Sequence, residues 1–270
     1  MNILKFIETF TDDNLMRSTG SRRDSFNQFG NIGKNLAMAS IPFGLAAFSN
    51  KAMAADIQPT PATPIGALQF ALTLEYLENE FYAMALDSGV IPASENGGRD
   101  LKVFQQISAH ESDHVTFLIN GLGGTMSANF VPKPTFDFTV GGAFDPFGDY
   151  PTFLALAQAF EDTGVRAYKG QAANLISTPD LLTAALQIHS VEARHASEVR
   201  RLRGLKGWIS NDERGAGMPS ATQAVYDGEG VTVQAGFNTA ALFGASAGSE
   251  AYDEPLTTKQ VVDIANIFIV

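Results

Sequence analysis

Four stretches of the chain carry apolar residues at helical spacing, separated by breaks rich in Gly and Pro. The first runs from about Ile65 to Asp87, with Leu68, Leu72, Tyr76 and Asn79 along one side, and Gly89 and Pro92 end it. The second runs from about Asp100 to Asn120. Val103, Phe104, Ile107, Phe117 and Leu118 form its apolar face, and Gly121, Gly123 and Gly124 stop it. The third starts at Pro151, a residue favoured in a first helical turn, and runs to about Ile176. The fourth starts near Pro179 and Asp180 and reaches about Leu205. The pattern predicts an all-α domain over residues 65–205, an antiparallel four-helix bundle with a long crossover between helices 2 and 3.

That crossover, Leu122 to Tyr150, holds Phe130, Phe136, Phe138, Phe144 and Phe147 among Gly and Pro. A connection of this length is expected to be ordered against the domain, to cross it, or to be functional. Alternation from Thr135 to Val140 allows a short strand. Ahead of the bundle, Asp56 to Pro64 reads as a linker, with prolines at 59, 61 and 64. Residues 206–270 read as a C-terminal extension packing on the bundle. It is irregular and Gly- and Ala-rich until Thr257, and Thr258 to Val270 reads as one short helix.

Residues 1–55 have a different pattern. Ser21-Arg22-Arg23-Asp24-Ser25-Phe26 carries paired arginines, Asn35 to Phe48 is uncharged and mostly apolar, and Ala52-Met53-Ala54 offers small residues at alternate positions. Basic, apolar and small-residue regions in that order make an export signal. The arginine pair resembles a twin-arginine signal. The expectation is export to a bacterial periplasm or cell envelope; without the signal the chain would be cytoplasmic.

Composition narrows the chemistry. Cysteine is absent, which excludes disulfides, thiolate zinc sites and iron-sulfur clusters. Any metal must be held by His, Asp and Glu, a donor set suited to iron or manganese as well as zinc. A formal net charge of −11 speaks against nucleic acid or an anionic membrane as partner.

The four histidines fall in two short windows, His110-Glu111-Ser112-Asp113-His114 and His189-Ser190-Val191-Glu192-Ala193-Arg194-His195. Each contains Glu-x-x-His, as Glu111 with His114 and Glu192 with His195. Residues three apart share a helix face, so a carboxylate and an imidazole can reach one metal from one helix. The other two helices each carry a mid-helix glutamate in apolar surroundings, Glu75 and Glu161. Each is followed seven residues later by a tyrosine, Tyr82 and Tyr168, close to two turns on and on the same face. The two halves thus repeat one plan. Four glutamates facing into one bundle need cations, because a buried unpaired carboxylate costs several kcal/mol, and two divalent ions would supply four charges. Glu78 is an alternative to Glu75, although the tyrosine spacing favours Glu75. His110, turned about a quarter of the helix from Glu111, is expected beside the site or in the core, and His189 at the site's edge.

This pattern resembles the ferritin-like di-iron and di-manganese carboxylate proteins, which take one Glu from each of two helices and Glu-x-x-His from each of the other two. The run from Leu74 to Tyr82 and the tail segment Ala251 to Thr257 are similar to the branch of bacterial ferritin-like stress proteins and plant desiccation-related proteins. The resemblance implies Glu75, Glu111, His114, Glu161, Glu192 and His195 as metal ligands, with Tyr82 and Tyr168 beside the metals. It implies two Fe ions, or Mn, and O2 or peroxide as reactant in oxidative or desiccation stress. Without Cys the chain has no rubredoxin-type centre, so an electron donor would be external. An oligomer is compatible with the sequence. Two other functions are weighed against this one: a non-catalytic structural bundle, and a zinc metalloprotease reading of His110-Glu111-x-x-His114, which leaves the second window unexplained.

Overall fold

The computed structural model describes residues 56–94 and 98–270. The export-signal reading of residues 1–55 lies outside the described residues. Four long helices dominate: α1 (Pro64–Ser88), α2 (Arg99–Gly121), α3 (Tyr150–Leu175) and α4 (Pro179–Leu202). Local chemistry sets their ends. The Thr63 side chain caps α1 by accepting from Gly66 N, and Gly89 closes it with φ 73°. Asp149 caps α3 by accepting from Thr152 N, with Pro151 in the first turn.

Neighbouring helices all run antiparallel. The short connections after α1 and α3 make two hairpins. The crossover then starts beside the first turns of α1, where Gln69 Nε2 donates to Asn129 O at 2.9 Å. It runs along α1, past Tyr76, whose hydroxyl donates to Val131 O at 3.4 Å, and on to Glu80, which pairs with Lys133. It delivers α3 to the opposite end, where Tyr150 Oη donates to Asp100 Oδ2 at 2.8 Å at the start of α2. Consequently α3 is antiparallel to α1 and parallel to α2 on the diagonal.

The crossover and the extension explain why α1 and α3 look apolar on every side. Along α3, every residue from Phe153 to Tyr168 is buried, whereas α2 and α4 keep an exposed face. A helix that is apolar all round must be covered all round. Phe136, Phe138, Phe81, Phe153, Phe160 and Phe268 form an aromatic core between the crossover and α1 and α3. A second core buries Phe70, Leu74, Ala155 and Ala159 against Val225, Tyr226, Leu256 and Val261 of the extension.

The extension is short elements joined by turns: α5 (Gln223–Tyr226), the hairpin β1 (Val233–Gln234) and β2 (Phe237–Asn238), α6 (Ala240–Phe243), α7 (Ala245–Ser249) and α8 (Thr258–Ala265). The final helix is shorter than its sequence pattern suggests. It ends at Ala265, and the following residues extend to pair with the crossover through Asp137 N to Phe268 O at 2.7 Å and Val270 N to Thr135 O at 3.0 Å. The alternation at Thr135–Val140 produces one bridge, Phe136 with Ile269, rather than a strand.

Several contacts hold the extension to α3. Arg166, buried at 1 % exposure, donates from Nε to Glu254 O at 2.7 Å and lies 2.6 Å from Glu229 Oε1. The backbone of Leu256 also lies directly on α3: its N donates to Arg166 O at 3.1 Å, and a Cβ at Gly170 would stand 2.1 Å from Leu256 O. Gly170→Ala therefore gains about 1 kcal/mol of helix propensity but loses more to overpacking, typically 1–3 kcal/mol. A net fall in the urea midpoint is expected. A midpoint raised above wild type would show that the extension does not pack at this distance.

Candidate metal centre

Midway along the bundle, each long helix turns acidic or imidazole side chains inward. From α1 come Glu75 and Glu78, from α2 Glu111 and His114, from α3 Glu161, and from α4 Glu192 and His195. Glu75, Glu111, Glu161 and Glu192 are each 0 % exposed. Their donor atoms fall into two groups within 4.8 Å: Glu75, Glu111, His114 and Glu192 in one, and Glu111, Glu161, Glu192 and His195 in the other. Glu111 and Glu192 belong to both. The two Glu-x-x-His motifs thus supply the shared carboxylates, and α1 and α3 supply one terminal carboxylate each.

Both imidazoles aim Nδ1 into the cluster. His114 Nδ1 lies 3.2 Å from Glu75 Oε2, 3.1 Å from Glu111 Oε2 and 3.2 Å from Glu192 Oε1. His195 Nδ1 lies 2.9 Å from Glu111 Oε1 and 3.4 Å from Glu161 Oε2. One N–H cannot serve three carboxylates. Several of these atoms accordingly find no properly oriented hydrogen bond although fully enclosed: Glu111 Oε1, Glu161 Oε2, both Glu192 oxygens and His195 Nδ1. Buried polar atoms are normally satisfied. Here the orphaned atoms converge on the same two points, which is what a cation at each would satisfy. Carboxylate and imidazole donors fit iron, manganese or zinc.

The tyrosines cross between halves. Tyr82 of α1 donates its hydroxyl to Glu161 Oε1 of α3 at 2.5 Å, and Tyr168 of α3 donates to Glu75 Oε1 of α1. Each tyrosine therefore shares a face with the glutamate of its own helix but holds the glutamate of the other. In each terminal carboxylate the bonded oxygen is Oε1, and Oε2 is left facing the imidazole.

Electrostatics follow from burial and mutual repulsion. Burial, then the charges of Glu192, Glu161, Glu111 and Glu75, hold Glu78 well above its ordinary range. Burial and Glu192 do the same to Glu111, against hydrogen bonding from His114 and His195. Glu161 is pushed up to about 7 by burial, moderated by His195. Burial alone would lower His114, yet its bonds to Glu111, Glu192 and Glu75 raise it to about 12. His195 is raised likewise by Glu161 and Glu111. Glu192 moves the other way, to about 2, because the imidazolium bonds outweigh burial.

The remaining sequence candidates take distinct places. Glu78 does not replace Glu75, which is the α1 member of the donor groups; Glu78 is 3 % exposed and an additional carboxylate beside the cluster. Its counterpart in the other half is Gly164, three residues after Glu161 as Glu78 is three after Glu75. A Cβ at Gly164 would lie 3.2 Å from Glu78 Oε1 and 3.4 Å from Glu192 Oε2. The glycine thus leaves the room that Glu78 fills, a complementarity visible only once the halves are aligned. His110 turns away from His114 and meets His195, Nδ1 to Nε2, at 2.9 Å. Neither ligand group includes His110, so His110 and His114 do not converge as a protease zinc site requires. His189 lies off the site, its Nδ1 3.0 Å from Val165 O.

In comparisons with known proteins, a family model described as "Ferritin-like domain" matches residues 63–205. No curated protein matches the chain.

The pH dependence of the metal-free protein follows from these shifts. Between about 4.5 and 8, folded Glu161 retains protons that an unfolded chain releases, as do Glu229, raised by burial to about 8, and Glu254, raised by burial to about 7. Above the ordinary 6.5, His114 adds to the same sign. Glu192 acts only below its ordinary 4.5. A folded state that binds more protons loses stability as pH rises, so the melting temperature of chelator-treated protein should fall from pH 5.5 to pH 8. A rise across that window would contradict the buried cluster.

Proposed function

This chain belongs to the ferritin-like domain family, and from that premise we propose that it is a di-metal protein holding two ions in the bundle core. Iron is the first candidate and manganese the second. The observation that carries the reading is the pair of four-residue donor groups sharing Glu111 and Glu192. Glu75, His114, Glu111 and Glu192 would hold one ion, and Glu161, His195, Glu111 and Glu192 the other. When bound, such a pair supplies one-electron redox steps toward O2 or peroxide at neutral pH.

The chain's own residues set the conditions for that chemistry. Tyr82 and Tyr168 hold the terminal glutamates by one oxygen each, which fixes the direction of the other. Both tyrosines are buried, which excludes bulk water and strengthens every charge interaction inside. Tyr82 touches Phe104 and Phe153 at ring-centroid distances of 5.9 and 6.2 Å, so its hydroxyl has little freedom. Glu78, whose carboxyl is held well above its ordinary range by burial and the neighbouring carboxylates in the metal-free protein, stands beside the cage as a further group for proton exchange. Arg200 and Asp162, a buried pair at 2.6 Å, brace α3 against α4 one residue after Glu161. We further propose that the chemistry serves stress protection in an exported protein of the bacterial stress and plant desiccation-related branch, with electrons from an external donor.

Metal analysis of the full chain tests the reading. About two irons or manganeses per chain are expected, falling to below one in Glu111→Ala and in Glu192→Ala, because each removes a shared donor. Loading should release protons, since His114 and His195 must give up Nδ1 to a metal, and affinity should therefore rise from pH 6 to pH 8 in anaerobic titration. A metal-free protein whose melting temperature is unmoved by Fe(II) or Mn(II) would sink the proposal. A single zinc with peptide cleavage would point to a protease instead.

A further inference from the structure

Because the two halves repeat one plan, a difference between them carries information. Glu111 and His114 correspond to Glu192 and His195, and Glu75 and Tyr82 to Glu161 and Tyr168. In this alignment the residue before each shared glutamate is His110 in one half and Val191 in the other. His110 reaches across from α2 to His195 of α4, with Nδ1 to Nε2 at 2.9 Å. The ring centroids stand 5.2 Å apart with planes only 11° from parallel. With the nitrogens in contact, that geometry is edge to edge, an in-plane hydrogen bond. His110 Nε2 in turn lies 2.7 Å from Gln106 Nε2, one turn earlier on the exposed face of α2. Val191 has no polar atom to offer, and His114 makes no hydrogen bond through Nε2 among the described residues.

Resting on the di-metal reading, we propose that His110 is a positioning residue that makes the two metal positions unequal, fixing His195 in the tautomer that ligates through Nδ1 while leaving His114 unassisted. The logic is bond by bond. A metal on His195 Nδ1 requires the ring proton on Nε2. That proton has an acceptor in place, the Nδ1 lone pair of His110. His110 then carries its own proton on Nε2 and needs an acceptor, which the Gln106 amide supplies by presenting Oε1, a half-turn from the placement described. The proton released on loading is the one on His195 Nδ1; His110 stays neutral, with its single proton on Nε2. A partner that accepts the outer proton of a ligating imidazole fixes ring orientation and raises ligand basicity, and its loss typically costs 10- to 100-fold in metal affinity. His195's position is therefore the tighter of the two.

Anaerobic Co(II) titration of the full chain, followed by visible absorption and calorimetry, tests this. Wild type is expected to bind two Co(II) in two resolved steps, with His195→Ala abolishing the tighter one. His110→Leu should weaken that same step by roughly 10- to 100-fold and leave the weaker step unchanged. His110→Asn, which keeps an acceptor where Nδ1 stood, should restore most of the loss, and the surface variant Gln106→Leu should show a smaller weakening of the same step. A general structural role would move both steps and would not be rescued by Asn. His110→Leu titrating like wild type, or weakening both steps equally, overturns the inference while the metal reading stands. A wild type that takes up no Co(II) overturns both.

Discussion

Four glutamate carboxylates enclosed in the centre of a helical bundle are the constraint on which the rest of this structure depends. Charges in that position cost several kcal/mol each unless neutralised, and the two imidazoles can answer only part of the demand. Everything around the cluster is arranged to hold it in place despite that cost. Tyr82 and Tyr168 tie the halves together through crossed hydrogen bonds, so neither α1 nor α3 can slide without breaking a bond to the other. Gly164 surrenders a side chain so that Glu78 and Glu192 fit beside it.

The covering layers follow from the same constraint. A four-helix bundle has wet outer faces, and α2 and α4 keep theirs. Helices α1 and α3 do not: the crossover lies over α1 with a sheet of phenylalanines, and the extension clamps α3 through Arg166 and the backbone of Leu256. With this cover the helices that carry the terminal glutamates are shielded outside as well as inside. The extension thus acts on the centre indirectly, by keeping water and motion away from the helices that build it.

Much of this was legible in the sequence, for identifiable reasons. Helix limits could be read because Gly89, Gly121, Pro151 and Pro179 are strong local signals that act without tertiary help. Glu75, Glu111, His114, Glu161, Glu192 and His195 stood out because rare residue types recur at one spacing in two halves. What escaped depends on side chains from different helices meeting. Spacing along α1 shows Tyr82 on the face of Glu75 but cannot show that its hydroxyl reaches Glu161. Glu78 looked like a competitor for one ligand position because its partner in space, Gly164, lies on another helix and signals by lacking a side chain. The final segment looked helical to its end, yet Ile267 to Val270 give up helix for pairing with the crossover, a choice set by an edge far away in sequence.

The central claim is that the carboxylate cluster exists to hold two cations at two defined points. Anomalous diffraction from crystals of the full chain, collected on either side of the iron and manganese edges, tests it most directly. The account predicts two peaks, one among Glu75, Glu111, His114 and Glu192 and one among Glu111, Glu161, Glu192 and His195, with Glu111 and Glu192 touching both. A well-ordered cluster with no peak, or a single peak held by His110 and His114, would contradict it.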